Sequence, residues 1–239
     1  MSATMRAFDA TEHETWRRLY ERLEHCRKAQ AHPMFAAGLA RLGIAGDGIP
    51  TLDDVNARLD ALTGWRGVPV SGLEDGRSFF ALLAERRFPI GAFIRDARDL
   101  SYTPAPDIFH DMYGHLPLFA DPAYADFCHR FGVVASRHAD DAVKLRRFER
   151  LFWFGVEFPL VEVPHGELRE LRIMGGGILS SFGESSYALS GEPEVRRFDL
   201  LEIRDREYRI DEMQRVLYAV SHPETLYGCL EVFERLATA

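Results

Sequence analysis

Apolar residues recur three and four apart through most of the chain and seldom alternate at period two, so helices should dominate. In "ETWRRLYERLEHCRKA", Trp16, Leu19, Tyr20 and Leu23 share one stripe, with Thr11 and Glu14 in capping-box register. "HPMFAAGLARLGI" carries a second helical pattern ending near Gly43, and "TLDDVNARLDALTGW" a third, capped by Thr51 and stopped by Gly64. "RGVPVSGLEDG" reads as a loop with at most a short extended piece, residues 77 to 87 as a short helix, and "FPIGAFIRD" as a strand or irregular segment. Residues 122 to 136 and 139 to 158 are expected to be helical, as are 211 to 217 and 222 to 237. Between them, "GELRELRIMGGGILSSFGESSYALS" mixes short strands with a glycine-rich bend. The fold class is therefore α+β, predominantly helical with a few short strands.

At 239 residues and 46% hydrophobic content, with no repeat or linker, the chain suits a single domain over 1–239, with about 1–12 as a flexible N-terminus. A formal charge of -8 argues against a surface built to coat phosphate, so no nucleic-acid partner is expected and a small molecule is. The longest apolar stretches, such as "LFWFGVEFPLVEV", are shorter than a membrane span and hold glutamates, and the N-terminus lacks an apolar signal core. A cytoplasmic protein without membrane contact is expected. Cys26, Cys128 and Cys229 are scattered and odd in number, and read as buried free thiols.

The chemistry concentrates in "YTPAPDIFHDMYGHLPLF", residues 102 to 119. Pro104 and Pro106 keep the chain extended ahead of Asp107, which can cap a helix beginning at Ile108 and so place His110 in its first turn. His115 follows five residues later. On an ideal α-helix that spacing turns two side chains about 140° apart, whereas ligands on one face are three or four apart. Gly114 offers a way to end or distort the helix and swing His115 back. Glu157 supplies a third donor: it sits among Trp153, Phe154, Val156, Phe158 and Leu160, where an unpaired carboxylate is costly and a cation would relieve the cost. Two imidazoles and a carboxylate suit non-haem Fe(II) oxygenases and also zinc hydrolases, and ligand identity leaves both open.

"FIRDARDLSYTPAPDIFHDMYGHLPLFADPAYADF", "LFWFGVEFPL" and "GGGILSSFGE", in this order, resemble the pterin-dependent aromatic amino acid hydroxylases, most closely the short bacterial members. With weaker similarity from about residue 14 to 235, the resemblance covers nearly the whole chain. It implies the single catalytic domain of that family and an Fe(II) enzyme that uses O2 and a tetrahydropterin, tetrahydrobiopterin or a relative, to hydroxylate the ring of an aromatic amino acid. The expected reaction is L-phenylalanine to L-tyrosine, with tryptophan or another aromatic acid as the alternative. Without a counterpart of the animal enzymes' regulatory domain or tetramerisation helix, a monomer is expected.

The resemblance also assigns residues. His110, His115 and Glu157 fall on the catalytic iron ligands, and Arg95 on the arginine that grips the amino acid carboxylate, a task its planar fork suits. Thr103, Trp153, Phe158, Gly177 and Ser180 fall on the amino acid pocket. Phe79 falls on the ring that stacks on the pterin, with Gly72 and Leu73 in a neighbouring loop and Asp111 facing the cofactor. Glu184 takes a supporting role. Two positions depart from the family: Gly155 replaces a bulkier residue, which bears on pocket volume and leaves substrate choice open, and Pro89 replaces a histidine of the animal enzymes near the pterin. A 2-oxoglutarate oxygenase would place ligands as in "HAD" at 138 to 140, but that stretch is polar and expected to be helical, unlike a barrel strand.

Overall fold

Capping chemistry sets most of the helix starts. In the computed structural model, which describes residues 5–101, 103 and 105–238, α1 (Ala10–Arg22) follows Asp9. The Asp9 side chain accepts the Glu12 amide while the Glu12 carboxylate accepts the Asp9 amide. The capping box thus uses Asp9 and Glu12 in place of Thr11 and Glu14, and the helix starts inside the stretch 1–12 expected to be a flexible tail. Arg6 fastens the entry by pairing with Glu12 and donating to the Ala92 carbonyl. Residues 1–4 lie outside the described residues, as do Tyr102 and Pro104.

The next two helices, α2 (Pro33–Leu42) and α3 (Leu52–Thr63), end as expected at Gly43 and Gly64, whose φ of 68° and 73° is the left-handed conformation that glycine adopts without a Cβ penalty. Thr51 caps α3. A parallel pair, β1 (Arg66–Val70) and β2 (Arg87–Gly91), flanks α4 (Gly76–Ala84), with Val68 opposite Pro89. Beyond a π-turn at Phe109–His115 come α5 (Leu116–Phe119), α6 (Pro122–Ser136) and α7 (Ala142–Phe152). A π-turn also closes Cys26–Gln30 after α1, and another, Trp153–Glu157, continues α7.

The remaining elements are β3 (Pro159–His165), β4 (Leu168–Ile173), α8 (Gly176–Leu179), α9 (Phe182–Ala188), β5 (Glu194–Arg197), α10 (Leu200–Asp205), β6 (Val216–Val220), α11 (Pro223–Tyr227) and α12 (Leu230–Thr238). Four of the strands form a sheet in the order β4-β3-β6-β5, in which β6 runs parallel to both neighbours. Residues 211 to 217, expected to be helical, are instead a turn leading into β6. Flanked on both edges, "VLYAV" is held by long-range pairing that outweighs local helical preference. The expected helix 222 to 237 is broken at Gly228 into α11 and α12.

Trp16, Phe35, Trp65, Phe109, Tyr113, Phe119 and Phe131 are fully buried. Phe109 packs edge-on to Trp16 and stacks on Tyr113, so the π-turn that carries both histidines is seated in the core. All three cysteines are buried and free. Among the described residues no helix is long and apolar enough to cross a membrane.

Candidate active site

A π-turn closes its hydrogen bonds from i to i+5 and so lays residue i+5 back over residue i. In Phe109–His115 the Leu116 amide returns to the Asp111 carbonyl in this way. His110 and His115, five apart, consequently face each other with Nε2 atoms 3.2 Å apart. Of the two routes open to Gly114, ending the helix or distorting it, the structure shows the second: it lies inside the turn. A Cβ on it would stand 2.6 Å from the Gly176 carbonyl oxygen and 2.8 Å from Ser180 Cβ, so glycine there lets α8 close on the ligand turn.

Glu157 ends the π-turn that follows α7, where the Phe158 amide bonds to the Trp153 carbonyl at 2.9 Å. Its Oε2 reaches His115 Nε2 at 3.0 Å and lies 3.8 Å from His110 Nε2. The three donor atoms all fall within 4.8 Å of one another, and they are the one such group of three or more among the described residues. Burial opposes ionisation of Glu157, yet His115, His110 and the Gly177 amide together hold its carboxyl below the usual range. Burial and the neighbouring His115 push the His110 imidazole down to about 4, so it is neutral near pH 7.

Ser180 fixes the His110 tautomer. Its hydroxyl donates to the Gly177 carbonyl at 3.1 Å, which leaves its oxygen to accept from His110 Nδ1–H at 2.9 Å and His110 Nε2 bare toward the other donors. The sequence reading put Ser180 in the amino acid pocket, and the structure puts its hydroxyl on the ligand. Two imidazole nitrogens and a carboxylate oxygen converging on one point are a donor set that fits a metal ion.

Gly175, Gly176 and Gly177 press on the same group. Added Cβ atoms would stand 2.2 Å from the Glu157 carbonyl oxygen, 2.4 Å from His115 Cε1 and 3.0 Å from Glu157 Oε2, respectively. The sequence reading singled out only Gly177. The run of three glycines opening a helix was the signal for the other two. It also missed Phe88, which stacks on His115 at 4.9 Å.

Asp107 ties the histidine turn to Arg95. It caps the turn by accepting the His110 amide at 2.9 Å, and both its oxygens receive Arg95. The third guanidinium nitrogen, Nη1, donates to the Leu100 carbonyl at 3.4 Å. Thr103 donates to the Ala105 carbonyl. Phe158 stacks on Trp153 at 4.6 Å, and the indole Nε1 is buried with no hydrogen-bond partner among the described residues. Gly155 does not open onto this side: its Cβ would meet Leu226 Cδ1 at 3.0 Å and Phe198 at 3.7 Å, which already fill the space. The missing side chain therefore adds no space beside Trp153.

Phe79 is half-buried and meets Phe80, Phe88 and Phe152 edge-on. Leu73 is 71% exposed, and among the described residues nothing lies within 4 Å of where a Cβ on Gly72 would stand. Asp111 is buried and its Oδ2 accepts the Gly91 amide at 2.7 Å; burial raises its carboxyl well above the usual range. Glu184, in the first turn of α9, is pushed up to about 7 by burial. The "HAD" residues are engaged elsewhere: His138 contacts Glu234 at 3.1 Å and stacks on Phe148, and Asp140 pairs with Arg77.

Residues 4–234 match the family described as biopterin-dependent aromatic amino acid hydroxylases. A phenylalanine-4-hydroxylase of Caulobacter vibrioides is 40% identical over 240 residues, 97% of this chain and 79% of that one. The structure of Chromobacterium violaceum phenylalanine hydroxylase with bound oxidised Fe(III) superposes with a TM-score of 0.92 at 35% identity, covering 99% of this chain and 85% of that one. Another structure of that enzyme, with iron(III) and oxidised 7,8-dihydrobiopterin, gives 0.90 at 36% identity, covering 100% and 87%.

Proposed function

The chain belongs to the biopterin-dependent aromatic amino acid hydroxylases, and from that premise we propose that it is an iron- and tetrahydropterin-dependent monooxygenase converting L-phenylalanine to L-tyrosine. The observation that carries the reading is the convergence of His110, His115 and Glu157 on one point. These three would hold Fe(II) and leave positions for oxygen and substrate. When bound, iron and reduced pterin would activate dioxygen, the pterin supplying the two of its four electrons that the aromatic ring does not provide.

The chain's own residues bind, orient and exclude water. Arg95, steadied by Asp107, takes the substrate carboxylate. Thr103, Trp153, Phe158 and Gly177 bound the amino acid ring, and Ser180 acts through His110. Phe79 stacks on the pterin, with Gly72 and Leu73 at its rim and Asp111 beside it. Phe88 and Phe158 keep water from the metal side, which strengthens every charge interaction there. Residues 1–239 act as one catalytic domain. The reading includes a cytoplasmic monomer, and the formal charge of -8 speaks against phosphate-rich partners.

The test is anaerobic loading with Fe(II), then oxygen and tetrahydropterin with L-phenylalanine, L-tryptophan or L-tyrosine, and mass spectrometry of the products. The expected result is one oxygen added to phenylalanine and pterin oxidised in equal amount. Pterin-independent turnover, or a zinc-loaded enzyme that hydrolyses instead, would overturn the reading.

A further inference from the structure

Tyr208 lies on Trp153 with ring centroids 4.4 Å apart and planes 11° from parallel. Phe158 stacks on the same indole at 4.6 Å. Two stacked rings this close cannot share one face, so the indole is clasped between them. Tyr208 belongs to neither a helix nor a strand; it lies in the segment between α10 and β6, so the regular ladder of backbone hydrogen bonds does not hold its ring in place.

Arg146, on α7, supplies the hold. Its Nη1 donates to the Tyr208 hydroxyl at 2.9 Å while its guanidinium carbon lies 4.5 Å from the ring centroid. The same nitrogen pairs with Glu149 at 3.1 Å, and Nη2 reaches Glu207, the neighbour of Tyr208, at 3.4 Å. Arg150, one turn on, also pairs with Glu207 and donates to the Arg204 carbonyl at 2.9 Å. Two arginines of α7 therefore pin the segment that carries Tyr208. Glu149 in turn sits over the first residue of α4, where a Cβ on Gly76 would fall 2.2 Å from Glu149 Oε1.

We propose that Arg146 and Tyr208 are positioning residues for the amino acid pocket: the guanidinium holds the phenol, and the phenol ring holds the face of Trp153 opposite Phe158. This rests on the reading above that Trp153 and Phe158 bound the substrate ring. Neither residue touches the metal ligands. Their loss should therefore loosen the amino acid side and leave metal and pterin binding as they were.

The experiment compares wild type with Arg146→Gln, Arg146→Lys and Tyr208→Phe. The first readout is near-ultraviolet circular dichroism of the metal-free protein, which reports the stacked indole without any turnover. The second is KM for L-phenylalanine and for tetrahydropterin, with metal content measured alongside. In Arg146→Gln the stacking band should weaken and the amino acid KM rise about tenfold, the worth of one charge-assisted hydrogen bond. Pterin KM and metal content should stay within about twofold, a difference too small to mark a lost contact. Arg146→Lys should recover part of the loss. Tyr208→Phe removes only the hydroxyl and keeps the test readable if Arg146→Gln does not fold. An unchanged band, or amino acid and pterin KM rising together, overturns the proposal. A lost band with an unchanged amino acid KM overturns it too, and removes Trp153 from the substrate pocket. Absence of hydroxylation in wild type would instead count against the proposed reaction, and the metal-free spectrum would still decide whether Arg146 holds the stack.

Discussion

Arg95 and Asp107 form a two-pronged ion pair shut off from water, with Nε and Nη2 meeting the two carboxylate oxygens at 2.8 and 2.9 Å and the side chains 5% and 0% exposed. The same carboxylate caps the turn that presents His110. One buried charge thus joins the proposed carboxylate clamp to the metal-ligand helix. Burial alone would raise Asp107, but the bonds and charge of Arg95 hold it below the usual carboxylate range.

Arg95→Ala would leave Asp107 as an uncompensated buried charge and should lower stability by about 3 to 5 kcal/mol. Arg95→Lys is the cleaner variant, because it keeps the charge and loses the fork. It should reduce the preference of the enzyme for L-phenylalanine over its decarboxylated amine about tenfold or more. Steady-state kinetics on both substrates checks this, and an undiminished preference would rule out the clamp.

Ser180→Ala removes the acceptor that fixes His110 Nδ1–H. Loss of such an outer partner of a ligating histidine typically weakens metal affinity about 10- to 100-fold. Competition with a fluorescent chelator measures it directly. Unaltered affinity would show that the tautomer needs no help from Ser180.

Gly155→Thr should leave substrate choice alone. Its new side chain points at Leu226 and Phe198 rather than at the metal ligands. The ratio of kcat/KM for phenylalanine to that for tryptophan should stay within about twofold of wild type, while Tm falls as Leu226 is displaced, overpacking costing about 1 to 3 kcal/mol. A marked shift in that ratio would return Gly155 to the pocket.

Glu184, pushed up to about 7 by burial, binds its proton more tightly in the folded protein than in the unfolded chain. Its contribution is fully present below the unfolded value and is lost as pH rises through about 7. Glu184→Gln should therefore stabilise the protein by about 1 to 3 kcal/mol near pH 8 and change little near pH 4. Thermal melts of metal-free protein across that range test the sign. An equal gain at both ends would contradict it.

Local chemistry made much of the fold legible. Thr51, Gly43 and Gly64 bound α2 and α3, and residues 122 to 136 are α6 as expected, because caps and a 3.6-residue period act within a few neighbours. β6 escaped for the opposite reason: its partners β3 and β5 lie elsewhere in the chain. Glu157 stood out because a carboxylate among aromatic residues demands compensation. The histidine pair was harder, since an α-helical period turns a spacing of five away from a common face, and nothing in a periodicity marks a π-turn. Ser180 was assigned a place only through resemblance, and its bond to His110 depends on α8 folding back over Gly114.

The three glycines packed on the ligands bear on how such a site can be probed at all. Scanning by removal, residue after residue to alanine, asks what a side chain contributes, and it passes over positions whose contribution is to have none. At Gly175 and Gly176 the informative perturbation is addition: a single methyl group would have to occupy space already held by the Glu157 backbone or the His115 ring. The least forgiving residues of this centre are thus ones that an inventory of functional groups leaves blank.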